Sequence, residues 1–104
     1  MKPSVIIDQP NVAAEIRATF TVARGTVPVA VYCHGLAGAE YAAVEFLAAD
    51  IEPTLAVAGD WAQASVGGEL QQLTEANNML AIYAPGEYSL RIPAAAGPIK
   101  AGLY

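Results

Sequence analysis

The stretch Ile16-Arg17-Ala18-Thr19-Phe20-Thr21-Val22 indicates the fold class, because apolar or small side chains alternate with polar ones along its whole length. Successive side chains of a β-strand point to opposite faces of a sheet, so this alternation predicts a strand with one apolar face. That face consists of Ile16, Ala18, Phe20 and Val22. Residues 27–34 repeat the pattern, with Val27, Val29, Val31 and Cys33 on one side, and we expect them to pair with the first strand.

Similar segments recur along the chain, separated by Gly, Pro and Asn residues about every 8 to 12 positions, which is typical of all-β domains. We predict tight hairpin turns at Gly67-Gly68, at Pro85-Gly86 and at Gly59-Asp60, the last joining strands over residues 54–58 and 61–65. A final strand over residues 99–104 is expected to be held in a sheet. The sequence therefore predicts an antiparallel β-sandwich, immunoglobulin-like or jelly-roll-like, of about eight short strands in one domain over residues 1–104.

Residues 39–52 are the ambiguous part of this pattern. They are rich in good helix formers, which favours a helix. The same residues also alternate, with Ala42, Val44, Phe46 and Ala48 on one face, and the segments on both sides have strand patterns. We expect a strand here, with a helix as the alternative.

The inward-facing residues of the expected strands form the predicted core. A chain of 104 residues is long enough to bury one such core, about two-thirds of its unfolded surface, and too short for two. The core list is Phe20, Val22, Val29, Val31, Val44, Phe46, Leu55, Leu80, Ile82, Tyr88, Leu90 and Ile92.

The charge balance limits the kinds of partner. Five Lys and Arg residues stand against ten Asp and Glu, and only 14% of residues are charged, compared with about 25% in an average protein. Arg17, Arg24 and Arg91 are scattered, so we expect neither a nucleic-acid surface nor a basic membrane-binding helix. A thinly charged surface is typical of a protein that is covered by other proteins.

The N-terminal apolar run, Val5-Ile6-Ile7, is too short for a signal peptide or a membrane span. Cys33 is the only cysteine, so it cannot form an internal disulfide. We therefore expect synthesis in a reducing cytoplasm and stabilisation by packing alone.

Residues 29–38 resemble the oxyanion-loop region of α/β-hydrolases, because a strand runs into His34-Gly35. That fold also needs a Gly-x-Ser-x-Gly motif and a late histidine as general base. Ser65 lacks the first glycine, and His34 is the only histidine. Cys33 and His34 are adjacent on a strand, so their side chains should diverge, with Cys33 buried and His34 in solvent. We predict no catalytic residue and no enzyme, and a small hydrolase ranks last among the functions considered.

Metal and cofactor binding is not expected either. One His and one Cys cannot supply a tetrahedral zinc site. The acidic residues Glu40, Glu45, Asp50, Glu52 and Asp60 could in principle hold a calcium ion, but their spacing matches no calcium loop. A solvated acidic face is the preferred interpretation.

Large aromatic residues are the best candidates for contacts with a partner, because Trp and Tyr combine apolar area with one polar group. We single out Trp61 beside a predicted turn, Tyr104 at the end of the last strand, and Tyr41. For Trp61 and Tyr104, core packing and an interface role are equally compatible with the sequence.

The order of motifs over residues 35–104 resembles that of small virion proteins of tailed bacteriophages. The segment Gly35-Leu36-Ala37-Gly38-Ala39-Glu40 is followed by the tryptophan-bearing turn Gly59-Asp60-Trp61 and by a Gly-Gly turn with a Leu-Thr stretch over residues 67–74. Then come Pro85-Gly86-Glu87-Tyr88-Ser89-Leu90-Arg91, a short Ala-rich turn, and Ile99-Lys100-Ala101-Gly102-Leu103-Tyr104.

The resemblance implies a structural protein that decorates or cements a capsid, or that forms part of a head fibre or tail. Its partners would be the major capsid protein or another virion protein, it would form homo-oligomers, and it would reside in the virion after synthesis in the host cytoplasm. A carbohydrate-binding or adhesion module, with Trp61 or an exposed tyrosine stacked on a sugar, is the alternative function.

Overall fold

A computed structural model describes residues 4–63, 65–66 and 69–104, and within them the chain forms eleven β-strands. The strands are β1 (Ser4–Gln9), β2 (Ile16–Val22), β3 (Val29–His34), β4 (Ala42–Leu47), β5 (Trp61–Gln63), β6 (Ser65–Val66), β7 (Glu69–Leu70), β8 (Gln72–Leu73), β9 (Met79–Ile82), β10 (Gly86–Ile92) and β11 (Ile99–Leu103). Short 3₁₀ turns occupy Arg24–Thr26, Pro53–Leu55 and Ala58–Asp60. Among the described residues, no helix is long and apolar enough to cross a bilayer.

Nine of the strands form two antiparallel sheets. The first sheet has the order β1-β11-β3-β9, and the second has the order β2-β10-β4-β5, with β8 also paired to β4. Strands β6 and β7 form a small hairpin of their own. The antiparallel β-sandwich expected from the sequence is confirmed, and the predicted final strand is held in a sheet as β11, between β1 and β3.

One apolar core joins the two sheets. The second sheet contributes residues such as Val22, Val44 and Leu90, and the first contributes residues such as Val31 and Ile99, all of them buried. Nine of the twelve predicted core residues are buried, and Leu80 is partly buried against them. The alternating pattern therefore located the inner face of most strands correctly.

Two predicted core residues are exposed. Phe46 is on the inner face of β4 but lies near the end of that strand, and 41% of its surface is accessible, whereas Val44 two residues earlier is buried. Leu55 lies in the 3₁₀ turn Pro53–Leu55 and is 66% exposed. Alternation identifies which face a side chain occupies, but it does not show where along the strand the covering sheet ends.

Two of the predicted hairpins, residues 16–22 with 27–34 and the one at Pro85-Gly86, are wrong in their pairing. Strand β2 lies in the second sheet and β3 in the first, so the turn Arg24–Thr26 carries the chain from one sheet to the other. Pro85-Gly86 likewise joins β9 of the first sheet to β10 of the second. Inward-facing patterns are the same for a hairpin and for a crossing between facing sheets, so the sequence could not separate these arrangements.

The stretch from β4 to β5 also differs in part from the expectation. Residues 42–47 form a strand paired with β10, which settles the ambiguity of residues 39–52 in favour of a strand. Residues 54–58 do not form the predicted strand, because 3₁₀ turns occupy most of that segment. The predicted turn at Gly67-Gly68 lies outside the described residues, although the flanking strands β6 and β7 are paired.

Candidate functional site

A cluster of charged side chains lies on the outer face of the second sheet. Strands β2, β10 and β4 are neighbours there, and their register places Arg91 beside Arg17 and Ser89 beside Glu45. Directly opposed residues, and residues two apart on one strand, lie on the same face of a sheet. The side chains of Arg17, Ser89, Arg91 and Glu45 therefore converge on the side opposite the apolar core.

Glu45 is the centre of this cluster. The Nη1 atom of Arg17 donates to its Oε1 atom, and the Nε atom of Arg91 lies 3.3 Å from its Oε2 atom. Arg17 Nη1 also lies 2.7 Å from the hydroxyl of Ser89, which is fully buried. A carboxylate is rarely buried without partners, and here both of its oxygens accept a hydrogen bond from a guanidinium.

Arg91 links the cluster to the protein surface. Its Nη1 atom lies 3.0 Å from Oε1 of Glu15, an exposed residue in the connection between β1 and β2. Burial alone would lower the pKa of the Arg91 guanidinium, but the hydrogen bond to Glu15 and the charge of Glu45 outweigh burial and raise the pKa. The cluster is therefore a set of matched charges that ties three strands together.

Trp61 packs against this cluster and is itself buried. The guanidinium carbon of Arg17 lies 5.2 Å from the centre of the Trp61 ring, a cation–π distance, and only 8% of the Trp61 surface is accessible. The sequence left its role open between core packing and an interface, and the structure places it in packing. Trp61 is accordingly not presented for stacking on a sugar.

The other two aromatic candidates differ from each other. Tyr104 is 52% exposed and meets the ring of Tyr32 edge to face at 6.0 Å. Tyr41 is half-buried and lies close enough to Arg91 to contribute to its electrostatic environment. Tyr104 therefore remains available to a partner, whereas Tyr41 borders the charged cluster.

The acidic residues considered as an ion site are dispersed by the fold. Glu45 is engaged in the charged cluster, and Glu40 accepts hydrogen bonds from the backbone N–H groups of Ala37 and Ala96, at 3.0 and 2.9 Å. Oδ2 of Asp60 accepts from the N–H of Val57 at 2.9 Å. Within the part of the chain that the structure describes, no three His, Cys, Asp or Glu residues are grouped as a metal site.

Cys33 and His34 diverge as the strand pattern predicts. Cys33 is buried in the core and His34 is exposed at the end of β3. Burial raises the pKa of the Cys33 thiol from 9.0 to about 11, so the thiolate needed for nucleophilic attack is scarce at neutral pH. The pair has neither the geometry nor the ionisation of a thiol–imidazole nucleophile.

The connection from β4 to β5 carries three exposed large apolar side chains, and we name residues 48–60 the apolar loop. The backbone N–H of Ala48 lies 2.8 Å from the carbonyl oxygen of Asp60, so the two ends of the loop meet. Leu55 and Val57 are 66% and 67% exposed, and Ile51 is 39% exposed. Compact surface loops with closed ends are frequently functional.

Internal hydrogen bonds hold the apolar loop in shape. The N–H groups of Leu55 and Asp60 donate to the carbonyl oxygens of Glu52 and Val57, both at 2.9 Å, and the Asp60 carboxylate accepts from the N–H of Val57. The sequence interpretation missed this site, because it assigned a buried strand to residues 54–58. Pro53, Gly59 and three acidic residues within thirteen positions were the signal for a loop.

Comparison of the chain with protein-family models, with curated proteins and with solved structures finds no match.

Proposed function

We propose that this chain is a non-enzymatic structural protein that binds other proteins of an assembly, and that the assembly is a bacteriophage virion. In this role it decorates or cements the capsid, or forms part of a head fibre or tail. The apolar loop is the observation that supports the proposal most directly. Three large apolar side chains, Ile51, Leu55 and Val57, are exposed on one hydrogen-bonded loop.

Burial of this loop against a partner would be favourable. Each fully buried Leu, Ile or Val side chain contributes about 1.5–3 kcal/mol relative to an exposed one. Because hydrogen bonds already fix the loop, little conformational entropy would be lost on binding. A contact of this size is weak alone, but it becomes strong when many copies bind a symmetric surface together.

The charges around the loop define the partner more closely. Asp50 and Glu52 are exposed beside the apolar side chains, and the whole chain has a net charge of −5. The complementary surface would therefore be an apolar pocket with basic residues at its rim. The major capsid protein, or another virion protein with such a pocket, is the partner we propose, and the mature location is the virion.

Binding to isolated capsids tests the proposal. Purified protein is incubated with expanded capsids that lack it, and the bound mass is measured by sedimentation. We expect wild-type protein to bind, and Val57→Asp to bind at least about tenfold more weakly, because it removes one apolar contact and buries a charge.

Val5→Asp is the matched control, because Val5 is also an exposed valine but lies on β1 of the first sheet. It should bind as wild type does. Circular dichroism should show that both variants keep the β fold. Absence of wild-type binding to capsid and tail components, or equal binding by Val57→Asp, would contradict the proposal.

A further inference from the structure

The outermost strands of the two sheets are not equally protected against pairing with another chain. Exposed strand edges are usually blunted by short length, by a bulge, or by Lys and Pro residues. Strand β1 has a register shift between Val5 and Ile7, β9 has four residues, and β5 has three. Strand β2 is the exception among the edges.

Strand β2 has seven residues that pair with β10 in unbroken register, from Ile16 opposite Ile92 to Val22 opposite Gly86. It contains no Lys, Pro or Gly. In an antiparallel pair, alternate residues direct their backbone N–H and C=O groups away from the partner strand. Among the described residues, no backbone hydrogen bond joins the open side of β2 to another segment.

We infer that a second copy of this chain occupies the open edge of β2, with the two β2 strands antiparallel around a two-fold axis at Thr19. This pairing sets Thr19 opposite Thr19 of the second copy. It joins the second sheets of the two copies into one continuous sheet. A two-fold interface of this kind uses the same surface on both copies and closes after two chains.

The side chains of β2 match this self-pairing on both faces. On the inner face, Ile16 comes opposite Val22 of the second copy, and Ala18 comes opposite Phe20. Ile16 and Ala18 pack against the core but remain partly exposed at the edge, so the second copy would cover them.

The outer face favours the same occupant. Arg17 comes opposite Thr21 of the second copy, and Thr19 opposite its own counterpart. Strand β2 carries no carboxylate, and the charge of Arg17 is matched within its own chain by Glu45. The edge is therefore free of the like-charge repulsion that a net charge of −5 imposes elsewhere.

This interface goes beyond the proposed function, because it involves a different surface. In the second sheet, β2 is at one edge, whereas the apolar loop connects β4 and β5 at the other. Loss of self-pairing and loss of capsid binding can therefore be observed separately.

Sedimentation analysis of the purified protein at rising concentration tests the inference. We expect a species of twice the 10.8 kDa chain mass to form in the range of about 10 µM to 1 mM. Thr19→Lys should be monomeric, because it sets two positive charges opposite each other at the two-fold axis. Thr19→Glu should be monomeric for the same reason.

Mixing the two variants provides the decisive measurement. Opposite charges at position 19 should restore a dimer from Thr19→Lys and Thr19→Glu, which neither forms alone. Thr54→Lys makes the same change at an exposed threonine of the apolar loop and should leave the dimer intact. Wild-type protein that stays monomeric, or dimers that persist in Thr19→Lys, would overturn the inference.

Cross-linking is a second readout that tolerates a weak interface. Directly opposed residues of antiparallel strands lie about 4.5–5.5 Å apart at their Cα atoms, which is within the range of a disulfide. Thr19→Cys should therefore form a disulfide-linked dimer under mild oxidation. Wild-type protein should not, because its only cysteine is buried in the core. A Thr19→Cys protein that stays uncross-linked counts against the pairing.

Discussion

Replacement of Glu45 by Gln should destabilise the fold, because it removes the charge that matches two largely buried guanidinium groups. Glu45 accepts hydrogen bonds from both Arg17 and Arg91, and it joins β4 to β2 across β10. Glutamine keeps the size of the side chain and one carbonyl oxygen, so packing changes little. The variant therefore isolates the effect of the missing charge.

The expected loss follows from the burial of the three groups. Removal of one partner of a fully buried ion pair costs about 3–5 kcal/mol, since the remaining charge is neither hydrated nor matched. The side chains of Arg17 and Arg91 are 21% and 19% exposed, so water recovers part of that cost. We expect a loss of about 2–3 kcal/mol in the free energy of unfolding, and a fall in Tm of about 10–20 °C for a domain of this size.

Chemical and thermal unfolding, followed by circular dichroism, measure this loss. Glu52→Gln is the control, because it makes the same chemical change at an exposed position and should stay within about 0.5 kcal/mol of wild type. If Glu45→Gln were as stable as Glu52→Gln, the charged cluster would not be a stabilising element and the reasoning would fail.

Two further predictions concern the core and the first sheet. Because burial raises the pKa of Cys33 from 9.0 to about 11, the unfolded chain loses the thiol proton at a lower pH than the folded chain does. The free energy of unfolding, measured by urea titration, should therefore fall between pH 9.0 and about pH 11, and it should fall less steeply in Cys33→Ala. An equal fall with pH in the two proteins would contradict the burial of this thiol. Gly102→Ala should cost about 1–3 kcal/mol, because its methyl group would overlap the Ser4 carbonyl oxygen of β1. A methyl group added at Gly97 meets open space, so Gly97→Ala should leave the melting temperature nearly unchanged. Equal melting temperatures for the two glycine variants would show that β1 can shift away from position 102 at no cost in stability.

The sequence was sufficient for the fold class and for most of the core, because both depend on alternation. Tyr88, Leu90 and Ile92 were assigned to the inner face of β10 from their spacing alone, and all three are buried. Pairing between strands was not predictable in the same way. The pattern of Ile16 to Val22 fits any inward-facing neighbour, so it could not show that β2 pairs with β10, about seventy positions later in the chain.

The site was less predictable, because it depends on contacts between distant segments. The sequence analysis described Arg17 and Arg91 as scattered charges and Glu45 as part of a solvated acidic face, and only the register of three strands shows that they meet. Trp61 could have been a surface anchor, but it is buried and lies beside Arg17 of another strand. Glu45 was grouped with acidic residues nearby in sequence, whereas its partners are basic residues far along the chain.

The position of β11 determines when the first sheet can form. Strands β1 and β3 do not pair with each other, since residues 99–103 lie between them in the sheet and pair with both. During synthesis β1 therefore stays unpaired until residues 99–103 have been made, whereas β3 can pair earlier with β9. Completion of the first sheet is therefore a late step that depends on a contact between distant segments, and such contacts slow folding. Until then β1 exposes unpaired backbone groups, and unpaired strand edges are prone to aggregation.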